Sequence, residues 1–370
     1  MNRLATLDIA LTGDLVLDEP DADYWLSGIA PALRRADLAI GHLEVPHTRR
    51  GAELAGDVPA PGAPPANLAA LASAGFTMVS LAGNHIADCG PEGIEDTTQG
   101  LAALGIAHAG AGENLAAARA PAWASAGDAR VALLSYNCVG PEGGWATPDR
   151  AGAAYLRVAT SDGSPVTPTA PLVSVHPDAL ATLAADVAAV RDRADIVVVA
   201  LHKGLVHVPA RLADYERPLA HAAVDAGADL VAGHHAHLVR GIEVYRGKPI
   251  FHGLGNGCVV TSALSPDQDH QARAEWAAKR RKLFGFEPDP AYRLAPFHPE
   301  AVNAFIGRVA WNPGELRAGI VPVDVEAPGR PVLAAGERRD EIFRYVERIT
   351  AAAGLPAIRI DDDGWVREAA

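Results

Sequence analysis

The amino-acid sequence predicts a layered α/β fold with at least one mostly parallel core sheet. In the first two-thirds of the 370 residues, short apolar segments alternate with amphipathic ones, the order expected of strands and helices in β-α-β units. The last third is richer in strand-like segments. Polar clusters follow several of the apolar segments, and in such folds ligands bind beyond the carboxyl ends of the strands. We therefore expect these clusters to converge.

The strands of the first two-thirds are predicted from short apolar runs that end in glycine or polar residues. They lie at 7–12, 37–43, 76–81, 131–136, 195–201 and 229–233. Gly13 and Asp14 are predicted to turn the chain out of the first strand. Helices are predicted where apolar residues recur at helical spacing, as Trp25, Ile29 and Leu33 do. They lie at 21–36, 67–74, 91–104, 177–193 and 211–226, with a proline-rich loop at 49–65.

The later part of the chain predicts a hairpin, two strands and a terminal helix. These lie at 243–245 with 249–254, at 305–311 and 319–325, and at 340–353. Segments rich in Gly and Pro predict insertions near 140–171 and 260–300, the second charged and of a lid type. We expect one main domain over 1–330 and a C-terminal extension over 331–370 that packs on it.

Composition restricts the partners and the location. Net charge is −13 and there is no long basic run, which argues against nucleic acid or an anionic membrane as the main partner. No segment has the length and apolarity of a membrane span, and the N-terminus predicts a core strand in place of a signal peptide. The three cysteines lack C-x-x-C spacing. These features favour a cytoplasmic protein without a membrane partner, and an oligomer is compatible with them.

Three histidines follow the apolar run at 229–233 within four positions: His234, His235 and His237. Neutral imidazole is the commonest nitrogen ligand of transition metals, so this cluster predicts a metal site. In an extended segment His235 and His237 share one face and His234 points the other way, which would make the first two the stronger ligands. A sharp turn at Gly233 would break this alternation and bring His234 to the metal.

Polar residues also end four of the other predicted strands: Asp14, Glu44, Asn84 with His85, and His202. Carboxylate, amide oxygen and imidazole together suit Mn, Fe or Zn, and the absence of a cysteine cluster argues against a structural zinc site. The donors suffice for one or two divalent ions, with a carboxylate as the bridge between two.

These motifs occur in a fixed order along the chain. They are Gly13-Asp14, Leu43-Glu44, Gly83-Asn84-His85 with Asp88, His202, Gly233-His234-His235-Ala236-His237, and the run 241–251 that closes on Leu254-Gly255-Asn256. In this order they resemble the motifs of bacterial CapA-type proteins of capsule or poly-γ-glutamate synthesis, a branch of the calcineurin-like metallophosphoesterases. The resemblance covers about residues 7–256.

The resemblance implies a four-layer α/β/β/α sandwich of the metallophosphatase type, with a metal centre at one sheet edge. The implied ligands are Asp14, Asn84, His202 and the histidine cluster. Glu44 would be a further acidic ligand or a base. His85 would be the acid or oxyanion stabiliser beside the leaving group, and Asp88 would orient it.

The chain departs from the family pattern at three places. The first strand has no Asp-x-His motif, so one metal position is expected to be depleted. His42 stands where Asn is usual, and Lys203 stands where an aromatic residue is common. Lys203 and Arg240 are candidates for binding an anionic substrate group, with solvated surface as the alternative. His42 and His252 are expected to be structural or to face the substrate.

Three functions are compatible with this sequence. The first is a metal-dependent hydrolase that uses a metal-activated water on a phosphoester, amide or lactone of small or peptide type. The second keeps the metal but removes a proton beside a carboxylate or amide, through Glu44 or a histidine, and so epimerises or eliminates. The third is a non-catalytic ligand-binding module on a metallophosphatase scaffold. Solvent oxygen in a product would indicate the first, and deuterium exchange without cleavage the second.

Overall fold

The computed structural model describes residues 6–54, 62–264 and 270–369, so the predicted loop at 49–65 lies partly outside the described residues. The strands are β1 (Leu7–Leu17), β2 (Leu38–Leu43), β3 (Met78–Ser80), β4 (Ala107–Ala109), β5 (Ala111–Gly112), β6 (Ala122–Ala126), β7 (Ala129–Asn137), β8 (Gly152–Ala153), β9 (Val158–Thr160), β10 (Leu172–Val175), β11 (Ile196–His202), β12 (Leu230–His234), β13 (Ile242–Tyr245), β14 (Lys248–Phe251), β15 (Asn256–Val260), β16 (Asn303–Asn312), β17 (Glu315–Glu326), β18 (Arg330–Leu333), β19 (Ile358–Ile360) and β20 (Val366–Glu368). The helices are α1 (Ala22–Ser27), α2 (Ala30–Leu33), α3 (Leu68–Ala74), α4 (Gly90–Ala103), α5 (Leu115–Arg119), α6 (Pro177–Arg191), α7 (Glu216–Asp225), α8 (Gln271–Phe284) and α9 (Gly336–Ala352).

Two large sheets organise the chain. The first has the order β18-β17-β16-β1-β2-β3-β4, and β15 pairs with the end of β1. The second has the order β13-β14-β12-β11-β7-β6. Strands β1 to β4 are parallel to one another, as are β7, β11, β12 and β14, whereas the edges are antiparallel. The predicted mostly parallel core and the hairpin of β13 with β14 are therefore confirmed.

The two sheets face each other and helices cover their outer faces. Side chains that alternate along the strands separate the layers: Ile9 and Val198 lie in the apolar cluster between the sheets, while Ala10 packs with α1 to α4 and Val197 with α6 and α7. Each fully buried aliphatic side chain contributes about 1.5–3 kcal/mol, so this double alternation fixes both sheets in register. The result is the four-layer α/β/β/α sandwich that the resemblance implies.

Strand β1 differs from its prediction in a way that matters for the site. Gly13 and Asp14 do not turn the chain; β1 continues to Leu17 with a register shift between Asp14 and Leu15. The extension is stabilised by β15, in which Asn256 lies opposite Asp14. A Cβ at position 13 would lie 1.8 Å from the carbonyl oxygen of Gly255, so only glycine allows this approach.

Other differences have similar long-range causes. The predicted helix at 21–36 is divided into α1 and α2 at Gly28, where a Cβ would lie 2.2 Å from the Pro331 carbonyl oxygen. The second predicted insertion contains the helix α8, which the sequence analysis did not predict. In the C-terminal part, Ile342 and Val346 of α9 join the apolar cluster between the sheets. Across the described residues, none of the helices combines the length and apolarity needed to cross a membrane.

Candidate metal centre

The carboxyl ends of five central strands meet at one edge of the sandwich. Asp14 lies at the register shift of β1, opposite His42 of β2, and Glu44 follows β2 directly. Asn84 lies in the loop after β3, and β11 and β12 end at His202 and His234. All the predicted ligands are thus brought together from segments up to about 220 positions apart, because parallel strands deliver their carboxyl ends to the same edge.

One group of candidate ligands consists of Asp14, His42 and His202. One ligand atom of each lies within 4.8 Å of those of the other two, and all three side chains are buried. The Asn84 Oδ1 atom is 2.7 Å from His202 Nε2, and His235 Nδ1 is 3.2 Å from the same nitrogen. Five donors from five segments therefore surround one position.

A second group shares Asp14 with the first and adds Glu44 and His237. The Oδ2 atom of Asp14 is 3.4 Å from His237 Nδ1, and Glu44 Oε1 is 3.6 Å from His237 Nε2. Glu44 Oε1 is also 3.9 Å from His202 Nε2, which links the two groups. A carboxylate common to two groups is the arrangement that a pair of divalent ions requires.

The donor atoms are those that a cation would need. Among the described residues, Asp14 Oδ1, His42 Nε2 and both Glu44 carboxylate oxygens are buried without a hydrogen-bond partner. A buried polar atom without a partner costs about 1–3 kcal/mol, and more when it is charged, so such a concentration of lone pairs is unfavourable without a ligand. Imidazole and carboxylate together suit Mn, Fe or Zn. The residues present therefore fit a divalent transition metal.

The hydrogen bonds around His42 fix which of its nitrogens carries the lone pair. The Ser80 hydroxyl donates to the Gly41 carbonyl oxygen at 3.4 Å, so its oxygen accepts from His42 Nδ1 at 2.9 Å. Nε2 is then unprotonated, as a metal ligand must be. By the same reasoning His237, whose Nδ1 lies 2.8 Å from Asn256 Oδ1, presents Nε2 towards Glu44. The sequence analysis assigned His42 to the substrate, whereas its geometry makes it a candidate ligand.

Burial determines the charge state of the centre. It lowers the pKa of His202 and His235 well below the usual range, and the neighbouring histidines add to the effect. These rings are therefore neutral at pH 7 and able to donate a lone pair. The pKa of Asp14 is raised well above its usual value, first by burial and then by the negative charge of Glu44. Two buried carboxylates at this distance favour a cation between them.

The predicted extended register through the histidine segment is wrong. The strand ends at His234, and His235 and His237 have positive φ angles of 90° and 53°. Left-handed backbone costs a non-glycine residue about 1–3 kcal/mol and persists where the surroundings enforce it. The turn follows Gly233 instead of lying at it. Both turned histidines face the carboxylates, while the His234 ring stacks on His42, with Nε2 3.4 Å from the Thr12 carbonyl oxygen.

His85 lies at the mouth of the centre, with 13% of its side chain exposed. Its Nδ1 atom is 2.6 Å from Asp88 Oδ2, and Asp88 is buried. This contact fixes the orientation of the ring. The pair has the geometry that an acid beside the metal and its orienting carboxylate would require, and their catalytic roles remain predictions.

Lys203, Arg240 and His252 lie behind the centre, in buried positions. The Lys203 ammonium donates to Glu216 at 2.9 Å and to the His252 carbonyl oxygen at 3.2 Å. Arg240 donates to the carbonyl oxygens of Leu205 and Arg211, and His252 Nε2 is 3.0 Å from Glu243. None of the three lines the cavity formed by the described residues in front of the metal centre. The surface alternative for Lys203 and Arg240 is wrong, since both are 1% exposed.

A cavity of about 410 Å³ opens in front of the histidines, within the size range of small-molecule sites. His85, His235 and His237 form its floor, and α8 with the following segment forms its outer wall. Sequence analysis missed two of its polar residues, His207 and Arg280. The only signal was the charge of the predicted lid segment, which does not distinguish a buried arginine from a solvated one.

Comparisons with known proteins agree with the resemblance. The profile of the family described as "Bacterial capsule synthesis protein PGA_cap" matches residues 8–259. The chain is 27% identical over 265 residues to the "Capsule biosynthesis protein CapA" of Bacillus anthracis, which covers 68% of this chain and 59% of the relative. It is 34% identical over 200 residues to a "Probable polyglutamine synthesis accessory protein" of Mycobacterium tuberculosis, covering 52% and 47%. The alignments thus span about half of these relatives.

Solved structures with a related arrangement are distant in sequence. The crystal structure of a calcineurin-like phosphoesterase from Bacillus subtilis aligns with a TM-score of 0.38 at 10% identity. That alignment covers 94% of this chain and 97% of the phosphoesterase.

Proposed function

Since the chain belongs to the bacterial capsule synthesis family PGA_cap, we propose that it is a metal-dependent hydrolase of a phosphoester, amide or lactone bond. The substrate would be a small molecule or a peptide. One observation supports the proposal above the others: two groups of buried ligand atoms share Asp14 at the floor of a cavity. A purely structural site would not need an opening to solvent beside its ligands.

A divalent ion bound here would supply an activated water and would polarise the substrate oxygen. The chain itself does the rest. Asp14 and Glu44 neutralise the ion, and the neutral histidines complete its coordination. His85, held through Nδ1 by Asp88, would deliver a proton from Nε2 to the leaving group. The aromatic and apolar wall of the cavity would limit the access of bulk water.

The experiment begins with the metal content of the purified protein, measured by mass spectrometry. Mn- or Zn-loaded protein is then incubated in ¹⁸O-water with phosphoesters, lactones and glutamine-containing peptides, the last suggested by the name of the mycobacterial relative. We expect ¹⁸O in one product and loss of both metal and activity in Asp14→Asn. Protein that binds no metal, or that cleaves nothing and only exchanges deuterium into a substrate, would contradict the proposal.

A second variant separates the acid from the ligands. His85→Ala should keep its metal and lose about 10²–10⁴-fold in turnover, the usual contribution of general acid–base catalysis. The matched control is His108→Ala, because His108 of β4 lies at a different cleft. Loss of metal in His85→Ala would show that His85 is a ligand.

A further inference from the structure

The outer wall of the cavity lies beyond the part of the chain that the family profile matches, which ends at residue 259. It is built by α8 (Gln271–Phe284) and by Phe297, and it presents Trp276, Lys279 and Arg280 to the cavity. The metal centre and the wall that faces it therefore have different origins in the sequence. The wall is where this chain would differ from other members of the family in what it accepts.

Arg280 is unusual among the cations of this protein. It is 4% exposed, yet no described carboxylate forms an ion pair with it. Its Nη2 atom is 3.2 Å from His207 Nε2, and its guanidinium lies 5.2 Å from the ring centre of Phe297. Burial lowers its pKa to about 10, so the group is still charged at neutral pH. A buried charge normally requires a paired charge of opposite sign.

The charges of the whole cavity point in the same direction. Its described lining includes Lys279 and Arg280 but no carboxylate. At the floor, the two carboxylates of Asp14 and Glu44 are balanced by a single divalent ion, and a second ion would leave an excess of positive charge. The loaded cavity therefore lacks negative charge, which its occupant would have to bring.

We propose that Arg280 binds a carboxylate or phosphate group of the substrate, at a subsite opposite the metal centre. This inference rests on the proposed function, because it assigns a substrate class to the same cavity. The guanidinium offers a planar set of donors that matches either anion in a bidentate manner. His207 accepts one N–H from Arg280 and stacks on His237, so it holds the guanidinium relative to the centre. Phe297 supports the other side by a cation–π contact.

The test is calorimetric titration of the full chain with two anionic probes, glutarate and inorganic phosphate, and with the neutral diamide of glutarate. Each titration is done with Mn-loaded and with EDTA-treated protein. We expect Arg280→Gln to weaken at least one anion tenfold or more in both preparations, with no effect on the diamide. The probe that responds identifies carboxylate or phosphate as the source of the anion. Because the metal-free arm does not need the centre, its outcome is independent of the proposed hydrolase activity.

The matched control is Arg281→Gln, since Arg281 is the neighbouring arginine, is half exposed and pairs with Glu287 at 3.0 Å. It should bind both probes as the unaltered protein does. Removal of an unpaired buried charge should leave the thermal midpoint of Arg280→Gln unchanged or raised, and Arg280→Met serves as the second variant for the same measurement. If neither probe binds in an Arg280-dependent way, or if both variants unfold at lower temperature, Arg280 has a structural role and the inference is overturned.

Discussion

The buried ion pair of Lys203 with Glu216 should be one of the strongest single contributions to the stability of this fold. Lys203 follows the candidate ligand His202, and its Nζ atom lies 2.9 Å from Glu216 Oε2 with both side chains at most 1% exposed. Arg240 lies 4.0 Å from the other oxygen of the same carboxylate. Burial alone would raise the pKa of Glu216, but Lys203 and Arg240 outweigh it and the pKa is lowered. The carboxylate is thus charged, and two buried cations depend on it.

Glu216→Gln keeps the shape of the side chain and an acceptor for the Ala213 N–H, which donates to Glu216 Oε1 at 2.7 Å. What it removes is the negative charge. Breaking a buried pair from one side costs about 3–5 kcal/mol, because the remaining charge stays in the interior without compensation. We expect a decrease of this size in the free energy of unfolding. Replacing both members, as Lys203→Met with Glu216→Gln, should recover part of it, since Arg240 keeps its two carbonyl acceptors.

Urea unfolding followed by circular dichroism measures the effect, with the slope against urea concentration checked for constancy. The control is Glu95→Gln, which breaks the exposed pair with Arg50, in which the side chains are 54% and 49% exposed. Such pairs contribute about 0–1 kcal/mol, so this variant should barely move the midpoint. A decrease below about 1 kcal/mol for Glu216→Gln would refute the view that the buried cations depend on this carboxylate.

Three further predictions concern the site. His235→Ala should lose metal, whereas His234→Ala should retain most of it, because His235 is turned towards the carboxylates; metal analysis decides, and the reverse order would contradict the geometry. Asp88→Asn should keep its metal and slow turnover less than His85→Ala, since it only disturbs the orientation of that ring; equal losses in kcat would argue against this. Burial raises the pKa of Asp18 to about 7, so the native state loses stability relative to the unfolded chain as pH rises from about 4 through 7. The thermal midpoint of metal-free Asp18→Asn should therefore gain on that of the unaltered protein between pH 5 and pH 8, and a constant difference would exclude the shift.

The sequence alone determined the layered arrangement and most of the candidate centre. Apolar runs that end in Asp14, Glu44, Asn84 or His202 are local patterns, and the rule that parallel strands deliver their carboxyl ends to one edge converts these patterns into proximity. The order of the motifs was sufficient to identify the family, which the profile match over residues 8–259 confirms. Local information was adequate here because the periodicity of a strand and the residue after it are both local.

Tertiary structure alone decided the parts that depend on distant partners. Strand β1 continues past Gly13 because β15, some 240 residues later, pairs with it, and no local signal marks that contact. The role of His42 as a candidate ligand depends on Ser80 of the neighbouring strand, which fixes the tautomer. Whether the turn falls at Gly233 or at His235 is likewise decided by the contacts of the histidine rings.

The charged residues show the same division most clearly. In the sequence, Lys203, Arg240 and Arg280 are alike as candidates for solvated surface, because a long charged side chain usually lies in water. The fold buries all three but compensates only the first two, through Glu216 and backbone carbonyl oxygens. Composition fixes how many charges a chain carries. Only the packing of distant segments determines which of them lose their water, and a charge without water must find its partner in the protein or in a ligand.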